Sequence, residues 1–218
     1  MTHKLLPLLF ALVACGDPSS ATASPATTAA STDRTAAAPA LEAGQAEAVF
    51  AGGCFWCMEK PFDKMKGVVS TTSGYIGGTI EGPTYKQVSS HATQHIEALR
   101  VVYDPTIVTY DALLSVFWHN IDPTQADGQF CDRGHQYTSA VFVGSPEERA
   151  LAEASKAKAA ATLGASVVTD IRDSAVFWEA EAYHQDFYKT NPSHYSRYRL
   201  GCGRDARLKQ LWGDAAGH

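Results

Sequence analysis

The chain has 218 residues, 45% of them hydrophobic and 19% charged, which is enough apolar material for the core of one domain. Its formal net charge is -5, and no run of Lys and Arg is long enough to follow a phosphate backbone, so nucleic-acid binding is excluded as a leading function. Five cysteines, Cys15, Cys54, Cys57, Cys131 and Cys202, make thiol chemistry the first question.

Residues 1–14 read as a secretion signal: Met1-Thr2-His3-Lys4, then the apolar run Leu5 to Ala14, too short to span a bilayer. Leu12-Val13-Ala14-Cys15 resembles the lipobox of bacterial lipoproteins, which implies that Cys15 becomes the acylated first residue of an exported, membrane-anchored protein. Residues 15–46 are rich in Ala, Ser, Thr and Pro, without aromatic residues or periodicity. Such a segment buries too little to offset its ordering entropy and is expected to be a disordered tether with a reach of roughly 30 Å.

The folded domain is expected over residues 47–218. A strand through Ala48-Val49-Phe50-Ala51 meets Gly52-Gly53, and the next residue able to start a helix is Cys54. The positive end of a helix dipole there is expected to lower the pKa of that thiol. Cys57 follows one turn later on the same face, with Phe55 and Trp56 between. The helix is expected over Phe55 to Lys66, with Pro61 awkward in its interior. Val68 to Tyr75 reads as extended, and Gly74 through Pro83 as an irregular loop.

Thr93 to Tyr103 alternates with both faces largely apolar, the pattern of a strand covered on each side. Glu97 lies in that pattern. Buried, it would stay protonated near neutrality; paired or solvated at a strand end, it would be ordinary, and the pattern supports both readings equally. Tyr110 to Asn120 is an amphipathic helix. Ile121 to Gln136 is a long polar loop containing Cys131-Asp132-Arg133-Gly134-His135-Gln136, crowded with chemically able side chains before Tyr137.

Thr138 to Val143 returns as a strand, and Ser145-Pro146-Glu147-Glu148 opens a helix that stops at Gly164. A short strand is expected at Val167 to Ile171, while Phe177-Trp178 continues the sheet or packs beneath it. Short helices are expected at Glu181 to Tyr188 and His194 to Tyr198, divided by Asn191-Pro192. Gly201-Cys202-Gly203 reads as a flexible junction before a helix from Asp205 to Trp212.

Three chemistries compete for the cysteines. A zinc site needs a second paired half-site, which Cys131 and Cys202, far apart in sequence, do not supply. Haem attachment fails because Met58 stands where a histidine is required. A thioredoxin-like disulfide exchanger using Cys54 and Cys57 is the alternative, although its motif is expected later in a chain than directly after the first strand. The third chemistry is a nucleophilic thiol acting on a small polarised group. It needs an activated Cys54, an apolar clamp from Phe55 and Trp56, a proton donor in Glu97, hydroxyls from Tyr85 and Tyr137, and a resolving thiol in Cys57 or Cys202.

Gly53-Cys54-Phe55-Trp56, Thr72 to Gly78, Pro83-Thr84-Tyr85, His95-Ile96-Glu97, Val102 to Pro105, Asp132 to Tyr137 and Glu181 to Gln185 together resemble the peptide methionine sulfoxide reductase A family. The resemblance implies an α+β fold, two layers with a mixed sheet and a ferredoxin-like core. It implies reduction of the S epimer of methionine sulfoxide, free or in proteins, to methionine. Cys54 would attack sulfur, Phe55 and Trp56 hold the methyl group, Glu97 protonate the oxygen, Tyr85 and Tyr137 bind it, and Asp132 organise that corner. Cys57, slightly favoured, or Cys202 would resolve the sulfenic acid, with Cys131 an incidental thiol.

The same resemblance implies no metal and no bound organic cofactor, a thioredoxin-like protein as reductant, and a monomer that meets the membrane only through its lipid. Combined with the signal segment, it points to repair of oxidised exported proteins on the periplasmic side.

Overall fold

The computed structural model describes residues 36–217. The signal segment, Cys15 and most of the expected tether lie outside those residues. Strand β1 (Ala46–Gly52) leads into helix α1 (Phe55–Asp63), then β2 (Val68–Ile76), α2 (Tyr85–Ser89), β3 (Ile96–Tyr103) and α3 (Tyr110–His119). Strands β4 (Gly128–Gln129) and β5 (Asp132–Arg133) form a small separate ladder ahead of β6 (Ser139–Val143), α4 (Pro146–Leu163), β7 (Asp170–Asp173) and β8 (Trp178–Glu179). Helices α5 (Phe187–Thr190), α6 (Pro192–Gly201) and α7 (Arg204–Trp212) follow.

The main sheet has the order β7-β6-β1-β3-β2-β8. Only β6 and β7 pair in parallel, so the sheet is mixed. Within it, β6-β1-β3-β2, with α1 joining β1 to β2 and α3 between β3 and β6, is the split β-α-β arrangement of a ferredoxin-like core. The domain is therefore α+β.

β3 is central and every one of its residues is buried, because both faces of the sheet are covered. On one face Phe50, Leu99, Val101 and Val141 pack against Met58 and Phe62 of α1 and Leu113, Leu114 and Phe117 of α3. Phe50 stacks on Phe62 at 5.3 Å and Phe117 at 5.1 Å; truncating such a ring to Ala costs about 3–5 kcal/mol. On the other face Val49, Ile96, Ala98 and Phe142 are closed over by Phe177.

Local signals account for most of the boundaries. Ser145 Oγ accepts from the Glu148 N–H at 3.2 Å with Pro146 in the first turn, and Gly164 ends α4 in the left-handed conformation at φ 59°. α1 stops at Asp63, short of the expected Lys66, and carries Pro61 inside it, where no N–H exists for the carbonyl four residues back. The strand expected at Val167 to Ile171 forms later, at Asp170–Asp173. Pro192 opens α6 instead of separating two helices, its fixed φ suiting a first helical turn. Phe177 and Trp178 divide the two roles foreseen for them: Trp178 pairs with β2 and Phe177 packs beneath the sheet.

The domain also starts earlier than expected, within the residues expected to form the tether. The Ala38 N–H donates to Phe177 O at 3.0 Å, and Glu179 N–H to Ala36 O at 2.8 Å. Buried Arg100 donates to Pro39 O at 2.9 Å and pairs with Glu47 at 2.7 Å. Composition registers apolar side chains, whereas this segment is held by backbone hydrogen bonds to a sheet edge and by a buried guanidinium. Among the described residues no helix is long and apolar enough to cross a membrane.

Candidate active site

The turn from β1 into α1 sets the geometry. Gly53 has φ 78°, and a Cβ there would lie 2.5 Å from Gln129 Cβ, so only glycine passes. Gln129 is itself locked, accepting from Asp122 N–H at 2.9 Å and donating to Asp122 O at 2.7 Å. The chain thus delivers Cys54, 6% exposed, to the N-cap of α1, and Cys57, one turn on, is 1% exposed.

This burial reverses the expected ionisation of Cys54. Desolvation pushes its pKa well above the ordinary thiol value, and its hydrogen bond to Cys57 pushes further, against the lowering effect of a hydrogen bond from Tyr198. Cys57 moves down: the Cys54 thiol donates to it, and Arg204 and Arg199 add positive potential. The Cys54 thiol is thus placed to donate to Cys57, on which the two arginines favour negative charge. Arg204 is buried, donates to Gly52 O at 3.0 Å and Asn120 O at 2.8 Å, and lies 4.3 Å from the Phe130 ring, which fixes its charge beside the thiols.

Glu97 is 2% exposed on β3 and accepts the Phe55 N–H at 3.1 Å. Burial raises its pKa well above the carboxylate range, and the negative potentials of Asp132 and Cys57 act the same way against the lowering effect of that hydrogen bond. Its carboxylic acid form is thereby favoured next to the nucleophile. Tyr85, in the first turn of α2, and Tyr137, in the turn before β6, are hydrogen-bonded to each other and feel the potential of both Glu97 and Cys54. Burial raises Tyr85 to about 12, so its phenol keeps its proton. Asp132, half-buried on β5 with its pKa raised by burial, accepts from the Tyr198 hydroxyl.

Phe55 and Trp56 form a wall at this cluster. Trp56 stacks on Phe187 at 3.6 Å and donates its indole N–H to His184 Nδ1 at 3.1 Å. Burial lowers His184 to about 4, so the ring is neutral and Nδ1 is available as acceptor. Glu181 accepts from the Tyr85 N–H at 2.7 Å and the Tyr75 hydroxyl at 2.9 Å, and Gln185 pairs with both backbone groups of Ser73 at 2.9 Å. The segment Glu181 to Gln185, visible in sequence only as a motif, clamps the strands and tyrosines that shape the site.

Two cysteine expectations are corrected. Cys202 is not a mobile thiol and Cys131 is not incidental: they are joined in a disulfide across a separation of 71 residues. Cys54 and Cys57 are the two unpaired cysteines among the described residues. A four-cysteine zinc site is thereby ruled out, since half its ligands are consumed. Cys131, Asp132 and Cys202 do lie together, but as a disulfide beside a carboxylate. Tyr198 and His184 are the members that residue-by-residue reasoning missed; a tyrosine one turn before Cys202 was the available signal.

Residues 46–216 match the family model described as peptide methionine sulfoxide reductase. The chain is 52% identical over 168 residues to the peptide methionine sulfoxide reductase MsrA of Ligilactobacillus salivarius (strain UCC118), covering 76% of this chain and 96% of that protein. Among solved structures it is similar to reduced Mxr1 from Saccharomyces cerevisiae, with a TM-score of 0.67 and 29% identity over 71% of this chain and 90% of that one. Mxr1 in complex with Trx2 gives a TM-score of 0.50 at 21% identity, over 69% and 89%, a likeness of fold.

Proposed function

Because the chain belongs to the peptide methionine sulfoxide reductase family and reduces methionine sulfoxide to methionine, we propose that it acts on the S epimer through a sulfenic acid on Cys54. The observation that carries this mechanism is the placement of the Cys54 sulfur beside the buried Glu97 carboxyl, whose pKa burial raises, and a second thiol, Cys57, within an aromatic wall.

The steps follow from the chemistry of those groups. Phe55 and Trp56 take the methyl group of the substrate, whose sulfoxide oxygen points to Glu97, Tyr85 and Tyr137. The Cys54 thiolate attacks sulfur as Glu97 gives its proton to the oxygen. The oxygen passes to Cys54, the sulfur-sulfur interaction breaks, and methionine leaves with its sulfur reduced. Cys57 then attacks the Cys54 sulfenic acid, and the hydroxyl departs as water with the Cys57 proton, leaving a Cys54–Cys57 disulfide. Cys57 rather than Cys202 fits this role, since Cys202 is already bonded to Cys131. A thioredoxin-like protein supplies two electrons to restore the dithiol, in line with the association of yeast Mxr1 with Trx2. No resident metal or organic cofactor enters the scheme.

The disulfide-exchanger alternative loses its footing in the sheet, which has the split β-α-β order and resembles sulfoxide reductases. The test is stoichiometric. Reduced protein mixed with methionine S-sulfoxide, without reductant, is expected to release one methionine and lose two thiols, whereas Cys54→Ser releases none. Methionine release by Cys54→Ser would remove Cys54 as nucleophile.

We further propose that the mature protein is exported, acylated on Cys15 and held by its tether at the periplasmic side, where it acts as a monomer repairing oxidised proteins. Support comes from Leu5 to Ala14 and Leu12-Val13-Ala14-Cys15. Its reductant would then be a thioredoxin-like domain on that side of the membrane. Radiolabelled palmitate should enter the protein and not its Cys15→Ala variant; an unlabelled cytosolic protein would sink this placement.

A further inference from the structure

Tyr198 has no part in the steps above, yet it touches the reacting sulfur. Its ring meets the edge of Trp56 at 5.9 Å and 80°. Its hydroxyl reaches the Cys54 sulfur and also donates to Asp132. A phenol carries one proton and serves one acceptor at a time. No hydroxyl is among the groups that shift Cys57; the Cys54 thiol, Arg204 and Arg199 favour its thiolate, while burial and Asp132 oppose it. The two sulfurs share a proton under opposed influences, arginines on one side and a phenol on the other.

We propose that Tyr198 is a further catalytic residue: by turning its hydroxyl onto Cys54 it draws the single negative charge of the pair from Cys57 to Cys54, making Cys54 the attacking sulfur. This rests on the reading of Cys54 as nucleophile. In the resting arrangement the Cys54 S–H donates to Cys57 and the Tyr198 O–H donates to Asp132. In the attacking arrangement the Cys54 proton has moved to Cys57, one S–H bond broken and one formed, and the Tyr198 O–H donates to the Cys54 thiolate. No net charge is created in the buried pair. As the phenol turns away, Asp132, half-buried and with its pKa raised by burial, takes up a proton from solvent and donates it to the Tyr198 oxygen, which holds the phenol in that orientation.

The other groups facing this pair are Glu97 from β3, Tyr85 from α2, Tyr137 from the turn before β6, Lys60 from α1, Tyr195 from α6, and the two arginines from α6 and α7. Glu97 and the phenols are neutral when protonated, so the positive charges of the arginines and Lys60 are what Tyr198 must offset. The geometry is held in place by two adjacent ties between α6 and the Asp132 loop. Cys202 follows Tyr198 by one helical turn and Cys131 precedes Asp132, so the disulfide brackets the Tyr198–Asp132 hydrogen bond.

The test is a pulse of iodoacetamide on protein whose Cys54–Cys57 pair is reduced, with label counted at each cysteine by mass spectrometry. Methionine release from methionine S-sulfoxide is timed in a single turnover of the same preparation. Tyr198→Phe, with its fold checked by circular dichroism, is expected to lower the Cys54-to-Cys57 labelling ratio by about ten- to a hundredfold, the scale of one hydrogen bond to a charged group. Release should slow by a similar factor. A wild-type ratio and rate overturn the proposal.

Cys131→Ser with Cys202→Ser keeps the phenol but loosens its support, and is expected to shift the ratio the same way by less. If Tyr198→Phe does not fold, an unchanged ratio in this double variant overturns the proposal. Cys54→Ser is run alongside. Methionine release there would defeat the nucleophile reading itself, whereas an inactive Cys54→Ser beside a wild-type-like Tyr198→Phe defeats only the role of Tyr198.

Discussion

Two pairs of cysteines lie on either side of one hydrogen bond between Tyr198 and Asp132, and they are chemically opposite. Cys54 and Cys57 are three residues apart on one helix, buried, and unbonded to each other. Cys131 and Cys202 are 71 residues apart, more exposed, and joined. Proximity in sequence does not decide which thiols bond. A turn of α1 holds the inner pair as a reactive dithiol, with Arg204 and Arg199 supporting charge on Cys57. The outer pair ties a loop to α6 and so fixes the partners of the inner pair. One pair does the chemistry and the other holds its surroundings.

The contrast breaks most sharply at Cys57. Cys57→Ser is expected to release one methionine per protein and then stop, with the Cys54 sulfenic acid trapped by dimedone; sustained turnover with a thioredoxin-like reductant would show that another thiol resolves. Glu97→Gln is expected to slow methionine release by about 10²- to 10⁴-fold, the range of general-acid catalysis. Since Glu97 must carry a proton and burial raises its pKa, the wild-type rate should fall as pH rises through that raised value. That limb should vanish from the pH profile of the Gln variant.

The outer pair is expected to matter more for stability than for chemistry. Cys131→Ser with Cys202→Ser opens a loop of 71 residues, which the chain-entropy account puts at about 4 kcal/mol, read as a lower denaturation midpoint. Single-turnover release should slow by less than about tenfold, within the contribution of a hydrogen bond whose support has been loosened. A midpoint equal to wild type would mean that the disulfide does not constrain the domain.

The smallest effect is expected at Glu59, two residues beyond Cys57. It is buried, accepts the Asp186 N–H at 3.1 Å, and is raised by burial from 4.5 to about 7. Between those values the folded state binds more protons than the unfolded one, so stability falls as pH rises through the window. Glu59→Gln should flatten that slope in denaturant titrations at pH 5 and 7, and an unaltered slope would assign it to another group.

Much of the site was legible beforehand because its determinants are local. Gly52-Gly53 ahead of a helix start places Cys54, and alternation along Thr93 to Tyr103 places Glu97 on a covered strand. Ser145-Pro146 and Gly164 bound α4. The aromatic pair beside the thiol and the motif from Glu181 to Gln185 also stood out as residue types. What they do to one another did not, because Trp56 meets His184 across 128 residues and Tyr198 meets Asp132 across 66.

By itself, then, the sequence determined the main strands and helices from β1 to α4, apart from α2 and the short β4–β5 ladder, the thiol at the head of α1 and the family to which the chain belongs, since periodicity, caps and contiguous motifs act over a few residues. Tertiary structure alone decided three things. It paired Cys131 with Cys202, because disulfide connectivity depends on the meeting of distant backbones. It raised Cys54 and lowered Cys57, because desolvation, hydrogen bonding and neighbouring charge belong to the assembled site. And it set Tyr198 between the nucleophile and Asp132, a position that exists only once α6 has docked against the loop that carries Cys131.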